Sequence, residues 1–90
     1  MVIHSGCKYL TMNPYQQEIL TTALEARERE LIEYQVNIDN YTLAIAKIAD
    51  DDLELQPFKE QLQALLSSSL LEQRKSKLIR DVIAEQLAEI

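Results

Sequence analysis

The ninety-residue chain has one cysteine, one histidine, one glycine, two prolines, one phenylalanine and no tryptophan. A lone Cys cannot close an intrachain disulfide, and with a lone His it cannot assemble the four ligands of a structural zinc site. A single Gly excludes a glycine-rich loop of the kind that cradles phosphate, and so few Gly and Pro leave little turn chemistry for a multi-stranded sheet. Positive charge is also short: nine Lys and Arg against fifteen Asp and Glu leave a net of −6, which disfavours general attraction to nucleic acid or anionic lipid. The run Leu43-Ala44-Ile45-Ala46 ends at Lys47, far short of the ~20 apolar residues that span a bilayer. The first ten residues lack a basic leader followed by a long apolar stretch. Together these absences point to a cytoplasmic, reducing setting with no membrane association.

What is present suits a folded helical chain, with 47% hydrophobic and 27% charged residues. Residues 1–12 read as a flexible N-terminal arm, since termini fray unless tied down, and Met12 is itself a candidate translation start. Asn13-Pro14-Tyr15-Gln16 is a helix-start signal. Asn accepts an orphan backbone N–H, Pro has its φ preset for the first helical position, and Gln16 can bond back from the third. Nothing interrupts helix from there to Ala49, a segment of about 37 residues, or ~55 Å at the usual rise.

A helix that long needs a neighbour. Leu20, Leu24, Arg27, Leu31, Tyr34, Ile38, Tyr41, Ile45 and Ile48 follow alternating steps of four and three, a coiled-coil-like seam broken only by Arg27. Arg27 is expected to extend toward glutamates or to pair with one on the facing helix, and Tyr34 and Tyr41 to lie in the core. Ile32, Val36 and Leu43 lie off the seam as a second, weaker stripe. They are the expected self-association or partner surface, and Tyr9 and Tyr15 near the helix start are further candidates to anchor a partner.

The acidic run Asp50, Asp51, Asp52 and Glu54 is expected to form a turn over residues 50–56, because negative charge opposes the helix dipole at a C-terminus and suits the N-terminus of the next helix. A second helix is expected over 57–90. Phe58, Leu62, Leu65 and Leu66 give it an apolar face, and Leu78 with Ile79 is expected to point inward between charges. Ser67-Ser68-Ser69 complicates this, since serines lower helix propensity and Ser69-Leu70-Leu71-Glu72 matches a capping box. The expected fold is therefore all-α. A long antiparallel helical hairpin is favoured because its arms match in length, and the alternative is a three-helix arrangement with the second arm broken at the serines.

Residues of the kind that carry catalysis are missing. His4, the one imidazole, sits in the arm, and no base is evident near the serines, so no enzymatic activity is expected. His4 and Cys7 have half-site metal spacing but need two further ligands, and the acidic turn lacks the ligand alternation and turn glycine of a calcium loop. No cofactor or metal is expected. Arg74, Lys75, Lys77 and Arg80 form the one basic run, matched within 71–90 by Glu72, Asp81, Glu85 and Glu89. With no aromatic residue interleaved it reads as a solvated face more readily than as a phosphate-binding patch.

The function these patterns favour is a non-catalytic protein–protein interaction module or small regulator. It would form a homodimer, closed as a four-helix bundle, and bind another protein. One alternative is an acidic inhibitor that mimics nucleic acid, using Asp50, Asp51, Asp52 and Glu54 to occupy a basic groove. A second is a nucleic-acid binder acting through the 74–80 run.

Overall fold

Asn13 starts the first helix by a reciprocal pair of bonds. Its side-chain oxygen accepts the Gln16 N–H at 2.9 Å, and the Gln16 side-chain oxygen accepts the Asn13 N–H at 2.9 Å, so two otherwise orphaned donors are satisfied. In a computed structural model, which describes residues 12–89, helix α1 runs Pro14–Lys47 and helix α2 runs Gln56–Ala88. The described residues contain no strand. The fold is all-α, and the expectations for residues 1–11 lie outside the described residues. Asn13→Ala should remove the capping box at a cost of about 1 kcal/mol, seen as an earlier urea midpoint.

Helix α1 ends slightly before the expected boundary. Ile48 turns to extended backbone, with φ −88° and ψ 116°, and its N–H still bonds the Ile45 carbonyl. Lys47 places a positive charge in the last turn, where the dipole favours it. The connection to α2 is closed by that helix and by its own acids. Gln56 Nε2 donates to the carbonyls of Ala49 at 3.0 Å and Asp52 at 3.1 Å, Asp52 Oδ1 accepts the Leu55 N–H at 3.2 Å, and Lys59 Nζ meets Asp50 Oδ1 at 3.0 Å. Pro57 occupies the first turn of α2, where its missing N–H has no partner to lose.

Helix α2 passes through Ser67-Ser68-Ser69 without interruption over 33 residues, so the three-helix arrangement does not form. Glu72 does not reach back to cap a new helix. Its carboxylate bonds Lys75 Nζ at 2.9 Å, three residues on. Three serines cost about 0.5 kcal/mol each against alanine, too little to stop a helix that packs along its whole length.

The two helices lie antiparallel. Gln73 Nε2 donates to Gln35 Oε1 at 3.0 Å, and Ser76 Oγ donates to Glu30 Oε1 at 2.6 Å, which fixes the register. The result is a rod of 66 × 23 × 14 Å with a radius of gyration of 20.0 Å, where a compact chain of this length would have about 12 Å. All nine expected seam residues, eight in α1 and the ninth its cap Ile48, are buried or half-buried, as their spacing predicts. The matching seam of α2 runs Lys59, Leu62, Leu66, Ser69, Gln73, Ser76, Arg80, Ile83 and Leu87, again in steps of three and four.

The character of that second seam corrects one expectation. Beyond Lys59 at its start it has apolar pairs toward both ends, Leu62 with Leu66 and Ile83 with Leu87, and is polar in the middle, where Ser76, only 2% exposed, is the one buried polar residue among those described. Leu78 and Ile79 therefore point outward, Leu78 being 67% exposed. Leu78, two positions after Ser76, is turned about 160° away from it at 100° per residue, and Ile79 lies on the flank of the seam, 42% exposed. Of the two arrangements expected for Arg27, the structure has the first, extension toward a glutamate, and not a pair with the facing helix. Its guanidinium meets Glu30 of its own helix at 3.1 Å, one turn away, and the carboxylate oxygen that receives it also receives the Ser76 hydroxyl.

Candidate interaction surface

Two helices side by side can each cover only one flank of the other, and the apolar residues of both exceed what one seam can hold. Among the described residues only Ile38, Leu62 and Ile83 are buried hydrophobic side chains, while fourteen large apolar residues are exposed. Nine of them form two groups. On α1, Ile32 at 66%, Val36 and Leu43 stand clear of the hairpin, as their off-seam spacing predicts. On α2 the outer arc holds Phe58, Leu65, Leu71, Leu78, Ile79 and Val82.

Heptad positions separate the two groups in space. The seam of each helix occupies positions a and d, and in an antiparallel pair the e flanks face one another on one side and the g flanks on the other. Gln35, Lys77 and Arg74 share an open groove with Leu31 and Gln73 on the e side, while Gln16, Ile19, Leu20 and Gln86 share another with Met12 on the g side. Ile32 lies toward the e side, and Phe58, Leu65, Ile79 and Val82 lie toward the g side. Ile32 on α1 and those four residues on α2 thus lie toward opposite flanks of the rod, while Val36 and Leu43 on α1 and Leu71 and Leu78 on α2 face directly away from the seam.

Asp50, Asp51 and Glu54 are exposed and Asp52 is half-buried at the bend, so the acidic residues form one end of the rod. Arg74, Lys75 and Lys77 are exposed and Arg80 is half-buried. Two of the four have acidic neighbours, Lys75 with Glu72 and Arg80 with Asp81 at 2.7 Å. The basic run is thus a helix face with local ion pairs, which exposed to water contribute under about 1 kcal/mol each. Tyr34 and Tyr41 are half-buried in the seam, and Tyr15 is exposed. His4, Cys7 and Tyr9 lie outside the described residues.

Among the described residues no group of three or more His, Cys, Asp or Glu is gathered closely enough to hold a metal ion. No helix among them is long and apolar enough to cross a membrane. Comparisons with protein-family models, with curated proteins and with solved structures found no match to this chain. The structure by itself defines a class: a two-helix hairpin with a half-polar seam and apolar ridges on both flanks. The α2 ridge is absent from the expectations drawn from sequence, because its apolar residues share their spacing with polar ones and do not form an apolar stripe of their own.

Proposed function

We propose that this protein is a non-catalytic interaction module that works as a homodimer, two hairpins closing into a four-helix bundle, and that it acts in the cytoplasm as a small regulator by binding another protein. The observation that carries this reading is the imbalance between three buried and fourteen exposed large apolar side chains among the described residues. A compact chain of this mass exposes about 5400 Å², whereas this one exposes 6806 Å². That surplus is larger than the roughly 800 Å² each partner covers in a standard protein interface.

Two flanks support two roles. One ridge can close the homodimer, and the other remains available to a different protein. Ile32, Val36 and Leu43, bordered by exposed Glu25, Glu33 and Asp39, suit a partner that offers an apolar stripe with basic residues along its edge.

Self-association is read directly by light scattering, which should return twice the monomer mass. The thermal midpoint should rise as protein concentration is raised, because mass action stabilises a folded dimer. A monomer mass at the highest attainable concentration, with a midpoint independent of concentration, would overturn the proposal.

A further inference from the structure

The outer face of α2 carries a second heptad seam with a symmetry of its own. Leu65, Ser68, Glu72, Lys75, Ile79 and Val82 follow alternating steps of three and four, and all but half-buried Glu72 are exposed. Read outward from the midpoint between Glu72 and Lys75, the series is its own complement. Glu72 matches Lys75, acid against base; Ser68 matches Ile79, small against large; Leu65 matches Val82, apolar against apolar. One step further, Gln61 matches Gln86, amide against amide.

Self-complementarity of this kind is what a two-fold axis demands. In an isologous contact residue i meets residue j and j meets i, so a face that reads the same from both directions can pair with a copy of itself. Antiparallel coiled-coil layers place each position of one type opposite its counterpart of the other type. Every pair named here joins a c position to a g position, as such layers require. Resting on the self-association proposed above, we infer that a second copy of this chain covers this face. The two α2 helices run antiparallel, and the dyad passes between Glu72 and Lys75.

The hairpin supplies the conditions for that contact. The seam toward α1 and the seam toward the second copy lie about 100° apart around α2, the corner angle of a four-helix bundle. The neighbouring rim of α1 carries Ala23 and Ala44 on the same side, with Glu30 and Asn37 between them, so it offers the second copy small residues toward its two ends and polar ones at its middle. Glu72 and Lys75 are 2.9 Å apart within one chain, with side chains 44% and 61% exposed, so both can also reach their opposites across the dyad. Four alternating charges then meet at the centre of the interface, and they specify register and direction as well as adding attraction. The α1 ridge stays uncovered.

Charge exchange tests the pairing. Glu72→Lys and Lys75→Glu should each raise the dimer dissociation constant at least about tenfold at low salt, because the dyad presents every like-charge contact twice. The double variant E72K/K75E restores opposite charges across the axis and should return the constant to within about threefold of the original. Far-UV circular dichroism should show unchanged helix content in all three. Ile79→Glu, placed opposite Ser68, should also split the dimer, while I32E/L43E on the α1 ridge should leave its mass unchanged. A dimeric wild type whose three charge variants all dimerise equally, or whose double variant shows no rescue, would place the contact elsewhere and overturn this inference while leaving self-association standing. A monomeric wild type would remove both.

Discussion

Leu62→Ala is expected to destabilise the hairpin by about 2–4 kcal/mol, the range for truncating a well-buried leucine. Leu62 is 5% exposed, the lowest value among the three buried hydrophobic residues. The register puts it in an apolar part of the seam, opposite Tyr41 and Ile45 of α1 and the cap residue Ile48. Domains of this size have total stabilities of roughly 5–13 kcal/mol, so a single truncation here should consume a large fraction of the whole. Leu78→Ala removes the same atoms from an exposed position and should change monomer stability by less than about 0.5 kcal/mol. Urea titrations of both variants at low protein concentration provide the comparison. If Leu78→Ala proved the more damaging, the assignment of inside and outside on α2 would be reversed.

Ser68→Pro is expected to cost about 3 kcal/mol or more, because proline in a helix interior removes a backbone hydrogen bond and clashes with the preceding turn. Ser68 is exposed and lies near the middle of α2, so loss of packing does not complicate the result. Ser68→Ala should go the other way, stabilising α2 by about 0.5 kcal/mol through propensity alone. The pair separates a continuous helix from one broken at the serines, since a break would accommodate proline with little change in midpoint. Loss of helical signal with Ser68→Pro, read at a concentration low enough to keep the protein monomeric, is the expected outcome.

The first helix is legible residue by residue and the second is not, for a physical reason. In α1 the apolar residues concentrate on one stripe, so a single interruption at Arg27 leaves the period intact. In α2 two stripes interleave. Leu62, Leu66, Ile83 and Leu87 face α1, whereas Leu65, Ile79 and Val82 face away, and the inward stripe is completed by Ser69, Gln73, Ser76 and Arg80. By composition those four look like surface, which makes the apolar residues beside them read as inward. What lets three of them face inward is pairing: Ser76 with Glu30 and Gln73 with Gln35 across the hairpin, and Arg80 with Asp81 beside it, so these bear bonded polar groups rather than orphaned ones.

The serine triplet and Arg27 illustrate a related limit. A capping-box match and a few tenths of a kcal/mol per serine are local signals, and they are outweighed when a helix has a neighbour along its full length. Arg27 meets Glu30 on its own helix because a partner one turn away costs less side-chain ordering than one across the seam. Of the surface candidates, Ile32, Val36 and Leu43 are legible as apolar residues off the main stripe, and their exposure accords with that spacing. The complementary seam of α2 becomes visible only once it is known which of the two stripes α1 already occupies.

The bend also governs what the rod can do at its tip. Asp50, Asp51 and Glu54 project into solvent there, offset nearby by Lys59, which meets Asp50, and by Lys47 in the last turn of α1. Two such tips brought nose to nose would press like charges together within a Debye length of about 8 Å. End-on joining into filaments is therefore discouraged, and flank-to-flank association remains the open route, which keeps any assembly short and finite.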